Sequence, residues 1–227
     1  MVEIGAGLGS LTLALAGTGA AVTAVELDRR LVPVLRSVVA AAAPPVRVIE
    51  ADARSLDWPS VLGPDPWVLV ANLPYNVATP LVADLLDGVP QLVRMLVMVQ
   101  REVGERLAAR ANDPAYGAVS VKVAYWATAA VVGRVPATVF VPQPKVESVL
   151  VDIRRLPAPA VDPALVGPAR LFEVVRAGFA HRRKMLRRSL AGIVSPGAFA
   201  GADVPETARA EELDVAAWGR LAAWPAP

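Results

Sequence analysis

The tetrapeptide Asn72-Leu73-Pro74-Tyr75 closes the apolar run Trp67 to Ala71. In open α/β sheets, ligands bind beyond the carboxyl ends of the strands, so these side chains stand where chemistry is done. An exocyclic amine such as that of adenine is a poor nucleophile, because its lone pair is delocalised into the ring. Acceptors placed around its N–H bonds favour a pyramidal nitrogen and stabilise positive charge as it develops. The Asn72 amide oxygen can be one acceptor. The Leu73 carbonyl can be the second, with Pro74 stiffening the turn. Tyr75 offers a flat face for a base, a stack worth roughly 1–3 kcal/mol. The plainer reading is a strand-end turn carrying a core tyrosine.

A second group lies near the start of the chain. Gly5, Gly7 and Gly9 form G-x-G-x-G directly after Val2-Glu3-Ile4. Glycines there permit a tight turn and close approach of a ligand to the backbone. Ser10 occupies the tenth position, so the dinucleotide pattern G-x-G-x-x-G is not met. Glu3, an acid just before the first glycine, disfavours a pyrophosphate and suits a cationic, amino-acid-like ligand. Glu26 ends the next apolar run, 21 positions after Gly5. A carboxylate at that spacing can accept from both hydroxyls of a ribose. Asp52 ends a third run, followed by Ala53, and can accept from an adenine amine. Each has a bland counterpart: a strand-to-helix turn, a helix-terminal charge better supplied by Asp28, and a loop acid that starts a turn.

The elements that hold these residues read as strand, turn and helix in alternation, the pattern of βαβ units and a parallel sheet. Strands are expected at 2–4, 21–25, 46–49, 67–71 and 92–99. Helices are expected from the glycine loop to Ala16, from Asp28 or Pro33 to before Pro44, from Thr79-Pro80 as N-cap and N1 to Leu86, and over 102–110. Ala129–Val135 and Ser148–Arg154 read as a hairpin at the sheet edge, flanking a proline-rich loop that carries Phe140. Pro157-Ala158-Pro159 marks a linker. The chain therefore divides into an α/β domain over 1–156 and a small helical domain over 157–227. In the latter, Arg182, Arg183, Lys184, Arg187 and Arg188 form the densest basic cluster. On one helix, 183 with 187 and 184 with 188 would share a face. Neutralising phosphates is the functional reading, and a solvated helix face the bland one.

Composition removes several classes of function. The 227 residues contain no cysteine and a single histidine, His181, which excludes thiol catalysis, zinc–thiolate sites and two-histidine metal sites. No metal is expected. The net charge of +2 neither requires nor excludes a nucleic-acid partner. No apolar run is long enough to span a bilayer, since Arg94 interrupts Leu92–Val99. No secretory signal is evident, which points to a cytoplasmic protein.

Taken in order, Val2-Glu3-Ile4-Gly5-Ala6-Gly7-Leu8-Gly9-Ser10-Leu11-Thr12, Val25-Glu26-Leu27-Asp28, Ala51-Asp52-Ala53 and Asn72-Leu73-Pro74-Tyr75-Asn76 resemble the ribosomal RNA adenine dimethyltransferase family. Val139-Phe140-Val141-Pro142-Gln143-Pro144-Lys145-Val146-Glu147-Ser148 and Arg182-Arg183-Lys184-Met185-Leu186-Arg187-Arg188-Ser189-Leu190 extend the likeness over essentially the whole chain. It is most similar to the bacterial type that dimethylates two adjacent adenines near the 3′ end of small-subunit rRNA. The resemblance implies a Rossmann-like class I methyltransferase sheet with a small C-terminal helical domain. It implies S-adenosylmethionine held by Glu3, Gly5, Gly7, Gly9, Glu26, Asp52, Ala53 and Asn72. It implies a target adenine held by Asn72, Leu73, Pro74 and Tyr75, with Phe140 stacked on its opposite face. Lys145 and the basic cluster are implied to meet RNA of the small subunit or its precursor, with the enzyme a monomer. The family carries a Gln-Asn-Phe-Leu-like segment ahead of the first strand; here Met1 stands directly before that strand, so a chain lacking this segment is expected.

Three other readings stay open on the sequence. A large-subunit rRNA adenine methyltransferase of the macrolide-resistance type would share fold and chemistry. A non-catalytic ribosome-assembly factor would keep the RNA surface. A small-molecule methyltransferase would leave the basic cluster without a purpose.

Overall fold

A computed structural model describes residues 1–74, 77–181 and 184–225. In chain order the first elements are β1 (Val2–Ile4), α1 (Ser10–Ala16), β2 (Thr23–Glu26), α2 (Val32–Val39), β3 (Arg47–Glu50), α3 (Trp58–Leu62), β4 (Trp67–Asn72), α4 (Ala78–Gly88) and β5 (Leu92–Gln100). These five strands pair in parallel in the order β3-β2-β1-β4-β5. Parallel pairing needs a crossover after each strand, and the intervening segments supply one each time. The chain steps outward from β1 to β3, then returns to lay β4 on the other side of β1. That reversal places a crevice between the ends of β1 and β4, the site where such sheets take their ligands. Val2, Ile4, Ala24, Val25, Leu69 and Ala71 are buried along the central strands, whereas β3 is largely exposed at the edge.

The later elements are α5 (Arg101–Ala108), α6 (Ala118–Trp126), β6 (Ala127–Val135), β7 (Ser148–Arg155), α7 (Pro168–Ala180), α8 (Leu186–Ser189), α9 (Gly197–Gly201) and α10 (Val215–Ala222). The hairpin expected at the edge joins with its second strand innermost: β7 runs antiparallel to β5, and β6 is the outermost strand. The fold is α/β and Rossmann-like.

The chain forms two compact units, Met1–Gly104 with Ala130–Arg155, and Glu105–Ala129 with Leu156–Pro227. The stretch 105–129, assigned on the sequence to the first domain, thus groups with the helical unit. The reason is α6, whose Val121 and Tyr125 lie in one core with Leu171, Phe172 and Trp218. Tyr125 meets Phe172 edge-on, with ring centroids 5.3 Å apart. Nothing in the sequence reading anticipated α6, because Ala118-Val119-Ser120-Val121-Lys122-Val123 alternates like a strand and shows no helical stripe. The start of α4 also differs from expectation. The helix begins at Ala78, after Val77 and without a side-chain cap. The Pro74 carbonyl accepts from the Val77 and Ala78 N–H groups, so the turn is closed before Thr79 is reached. Pro80 sits in the first turn, where a missing N–H is harmless.

Two arginine arrangements fix the far half of the sheet. In the β5–β7 register Arg94 faces Arg154 and Leu96 faces Asp152. Like charges opposite one another repel. Asp152 offsets this: Arg94 donates to its two oxygens at 2.7 and 3.1 Å, and Arg154 at 2.9 Å. The hydrogen bond from Arg94, above all, holds the Asp152 carboxyl below its ordinary range. Arg155, half-buried, donates to the carbonyls of Leu85, Leu86 and Val89 at 2.9–3.2 Å and to that of Leu92 at 3.0 Å. It therefore covers the C-terminus of α4, adding a charged donor to the Leu86 carbonyl and to those of Leu85 and Val89, which also receive the Val89 and Leu92 N–H groups.

We expect Arg155→Met to lower unfolding stability by about 2 kcal/mol, since it strips several carbonyls of a charged donor. Urea titration measures this, and an unchanged midpoint would remove Arg155 as the cap. Because the native state depresses the Asp152 pKa, the stability it contributes is complete above the ordinary carboxylate range and is lost as pH falls through the native value. Asp152→Asn should accordingly cost about 1 kcal/mol at neutral pH, the partners being partly exposed, and flatten the acid limb of stability against pH.

Candidate functional site

A cavity of about 510 Å³ opens at the β1–β4 reversal. Gly5, Glu26, Asp52, Ala53 and Pro74, all singled out on the sequence, line it together. Gly5 adopts a φ of +74°, and a Cβ there would stand 3.8 Å from the Asn72 carbonyl oxygen and 4.0 Å from Pro74 Cδ. The turn after β1 and the turn after β4 thus approach each other across the mouth of the crevice, with only backbone on one side.

Glu26 ties the site together. Its Oε2 accepts from the Gly7 N–H at 2.7 Å and its Oε1 from the Asp28 N–H at 2.8 Å. Each oxygen keeps lone-pair capacity beyond the one bond it receives. Asp28 turns back on Arg30, accepting from its backbone N–H at 2.9 Å and its guanidinium at 2.8 and 3.1 Å. Those bonds hold the Asp28 carboxyl at about 2. Asp52 accepts the Arg54 N–H at 2.9 Å through Oδ1, an Asx turn that presents the carboxylate beside the cavity.

Glu3, Gly7 and Gly9 take different places. Glu3 is 2% exposed and is not among the residues lining the cavity. It accepts from the Thr12 hydroxyl at 2.5 Å. Burial pushes its carboxyl up, the Thr12 bond opposes this, and the nearby Glu26 charge adds to the rise. Gly7 serves through its N–H on Glu26. Gly9, at φ +87°, lies against α2: a Cβ would come within 2.9 Å of Leu35 Cδ1. Its missing side chain is required by helix packing at that position.

Asn72 is the exposed last residue of β4, opposite Met98 of β5. The Leu73 N–H donates to the Met98 carbonyl at 3.1 Å, and its side chain is buried. The ladder thereby holds both residues at the strand end. Tyr75 lies outside the described residues, as do Arg182 and Arg183. The loop of Phe140 reaches the same edge of the sheet. Since β7 is antiparallel to β5, its first residue, Ser148, faces Gln100 at the carboxyl end of β5. Phe140 is half-buried and Lys145 exposed on that loop.

The basic cluster is not one helical face. α7 ends at Ala180, Met185 bridges to Arg209, and α8 spans only Leu186–Ser189. Lys184 therefore precedes α8 and does not share a helix with Arg188; the bridge to Arg209 draws the segment out of helical geometry. Arg187 and Arg188 border a cavity of about 530 Å³ in the helical unit. Arg187 also faces Glu206 at 3.8 Å, an acid that is remote in sequence.

Sequence reasoning missed Leu27 and Arg54, both on the cavity wall. Leu27 is 64% exposed, and the available signal was a large apolar residue placed directly after a strand-end acid. Among the described residues no group of three or more His, Asp or Glu could hold a metal, and no helix is long and apolar enough to cross a membrane.

Solved structures share the fold: a dimethyladenosine transferase from Plasmodium falciparum (TM-score 0.75, 22% identity, 97% of this chain and 87% of that one), and the 23S rRNA methyltransferase ErmE (TM-score 0.74, 24% identity, 97% and 88%). Ribosomal RNA small subunit methyltransferase A of Thermobifida fusca is 47% identical, over 98% of this chain and 79% of the relative. The protein of the same description from Cutibacterium acnes is 44% identical, over 97% and 77%. The family model described as ribosomal RNA adenine dimethylase matches residues 1–226, and the chain belongs to that family.

Proposed function

We propose that this protein dimethylates the N6 amines of two adjacent adenines near the 3′ end of small-subunit (16S) rRNA, using S-adenosylmethionine, during ribosome biogenesis. It does so as a cytoplasmic monomer acting on the small subunit or its precursor. The observation that carries the reading is the cavity at the β1–β4 reversal, where Gly5, Glu26, Asp52 and Pro74 meet beside the strand-end Asn72.

The chain's own groups fit that cofactor. A volume of about 510 Å³ suits a nucleoside carrying an amino-acid tail. Glu26 has acceptor capacity left for ribose hydroxyls after binding Gly7 and Asp28. Leu27 supplies an apolar surface for the flat base, and Asp52 an acceptor for its amine. The Gly5 backbone lets the sulfur-bearing tail pass close to β1. Glu3 acts from behind the loop, through Thr12 and the charge it shares with Glu26. When bound, S-adenosylmethionine supplies an electrophilic methyl group on a sulfonium.

Asn72 Oδ1 and the Leu73 carbonyl accept from the target amine and oppose its delocalisation into the ring. Pro74 keeps the Leu73 carbonyl fixed, and Tyr75 and Phe140 stack on the two faces of a base removed from its helix. The nitrogen loses its proton to water after it gains a methyl group, so no strong base is needed. A second round requires only that the pocket accept the monomethylated amine. Positioning supplies much of the rate. Lys145, Lys184, Arg187 and Arg188, with Arg182 and Arg183, meet RNA phosphates.

The direct test is tritiated methyl transfer from S-adenosylmethionine to undermethylated small subunits, with large subunits in parallel. Dimethyladenosine is expected in small-subunit rRNA alone; label in the large subunit, or none, would overturn the reading. Asn72→Ala should lower kcat by about 100-fold, the scale for removing one preorganised group, and leave rRNA binding intact. Arg187→Glu with Arg188→Glu should weaken rRNA binding and reduce the slope of log K against log salt by about 1.5. An unchanged slope would mean that neither side chain meets a phosphate.

A further inference from the structure

The loop between β6 and β7 exposes aliphatic side chains on both sides of Phe140. Val141 is 99% exposed and Val139 60% exposed, while Phe140 between them is half-buried. Exposed apolar residues are ordinary when scattered, and gain meaning when a rigid segment presents them together beside a site. The loop is held in shape. A short 3-10 turn spans Ala137–Val139, closed by the Val139 N–H on the Pro136 carbonyl and the Phe140 N–H on that of Ala137, both at 3.3 Å. Pro136, Pro142 and Pro144 limit its backbone freedom. At its far end Glu147 accepts from Arg101 at 3.2 Å, and the Glu147 carbonyl accepts from the Arg101 N–H at 3.0 Å. The two valines are therefore presented by a constrained loop.

Strand register places that loop. Asn72 faces Met98, and Ser148 faces Gln100, so the loop leaves the sheet at the edge where Asn72 stands. Two strand spacings, about 10 Å, separate β4 from β7 across that edge. Exposed Arg134 and Lys145 flank the valines in sequence and supply charge for phosphates on either side. An apolar tip bracketed by cations, beside a pocket that needs an extruded base, has the chemistry of side chains that enter a base stack and prop it open.

We propose that Val139 and Val141 are positioning residues that pack against the RNA bases neighbouring the target adenine and occupy the space it vacates. This rests on the function proposed above. The occupant is unpaired or unstacked RNA; a ribosomal protein or a second copy of this chain are the alternatives that the test separates.

Val139→Ser with Val141→Ser should leave the melting temperature and S-adenosylmethionine binding unchanged and lower kcat/KM on undermethylated small subunits about tenfold, the loss expected for one uncovered aliphatic contact. Val139→Leu with Val141→Leu should keep the parental rate, because the aliphatic contact is preserved. With p-benzoylphenylalanine in place of Val141, irradiation on small subunits should crosslink to rRNA within a few nucleotides of the dimethylated adenines. Parental activity in the serine variant, or a crosslink to a ribosomal protein, to a second copy or to distant RNA, would overturn the inference while leaving the enzymatic function standing. Failure of the parent protein to methylate would instead overturn the function, and this inference with it.

Discussion

The Glu26 carboxylate is the constraint on which the site depends. It sits at the end of β2, yet it holds the N–H of Gly7 after β1 and the N–H of Asp28 ahead of α2. Two loops that follow different strands are thereby tied to one side chain. The turn from Gly5 to Gly9 has backbone bonds of its own, from Gly9 N–H to the Ala6 carbonyl and from Gly5 N–H to that of Val25, and the Glu26 carboxylate adds an acceptor for the Gly7 N–H. The same acid borders the cavity, so the residue that ties the glycine loop also puts a carboxylate on the pocket wall. Asp28 is drawn off by Arg30 and kept ionised, so it does not compete with Glu26 for the glycine loop.

Much of this was legible in the sequence because the signals were local. A strand that ends in an acid or an amide, followed by a turn, declares both an element and a ligand edge. β1, β2, β4 and β5 were each placed to within a few residues on that basis, and Gly5, Glu26, Asp52, Ala53 and Pro74 fell on one cavity. What escaped was set by contacts distant along the chain. α6 alternates like a strand but is a helix whose Val121 and Tyr125 join the apolar core of the helical unit. Lys184 reads as part of a helical stripe and is not, because Met185 pairs with Arg209. Arg155 gave no local sign of its role, since the carbonyls it caps come from residues more than 60 positions earlier. Glu206 beside Arg187 belongs to the same class.

The glycines show how one motif can serve several purposes. Gly5 is needed for approach at the cavity mouth, Gly7 for the N–H that Glu26 receives, and Gly9 for contact with Leu35 of α2. A pattern of three glycines therefore does not mean three ligand contacts. Glu3 carries the same lesson: the acid ahead of the loop is sealed from solvent, bonded to Thr12 and absent from the cavity wall.

The orientation of β7 explains why a segment about 70 residues beyond Asn72 reaches the same edge of the sheet. β5 spans nine residues, roughly 30 Å at the usual rise per residue. Were β7 parallel to β5, the loop before it would emerge at the opposite edge of the sheet, that far from Asn72. Antiparallel pairing brings Ser148, and the loop of Phe140 before it, to the carboxyl edge instead. The register must also be right, because a slip of one residue turns every side chain to the other face. Asp152 contributes to that discrimination: displaced by one position, Arg94 of β5 would lose the β7 carboxylate, which Arg154 on the same strand would keep. An ion pair of modest stability thus sets where the aromatic and aliphatic side chains of the β6–β7 loop can act, and its importance lies in geometry more than in free energy.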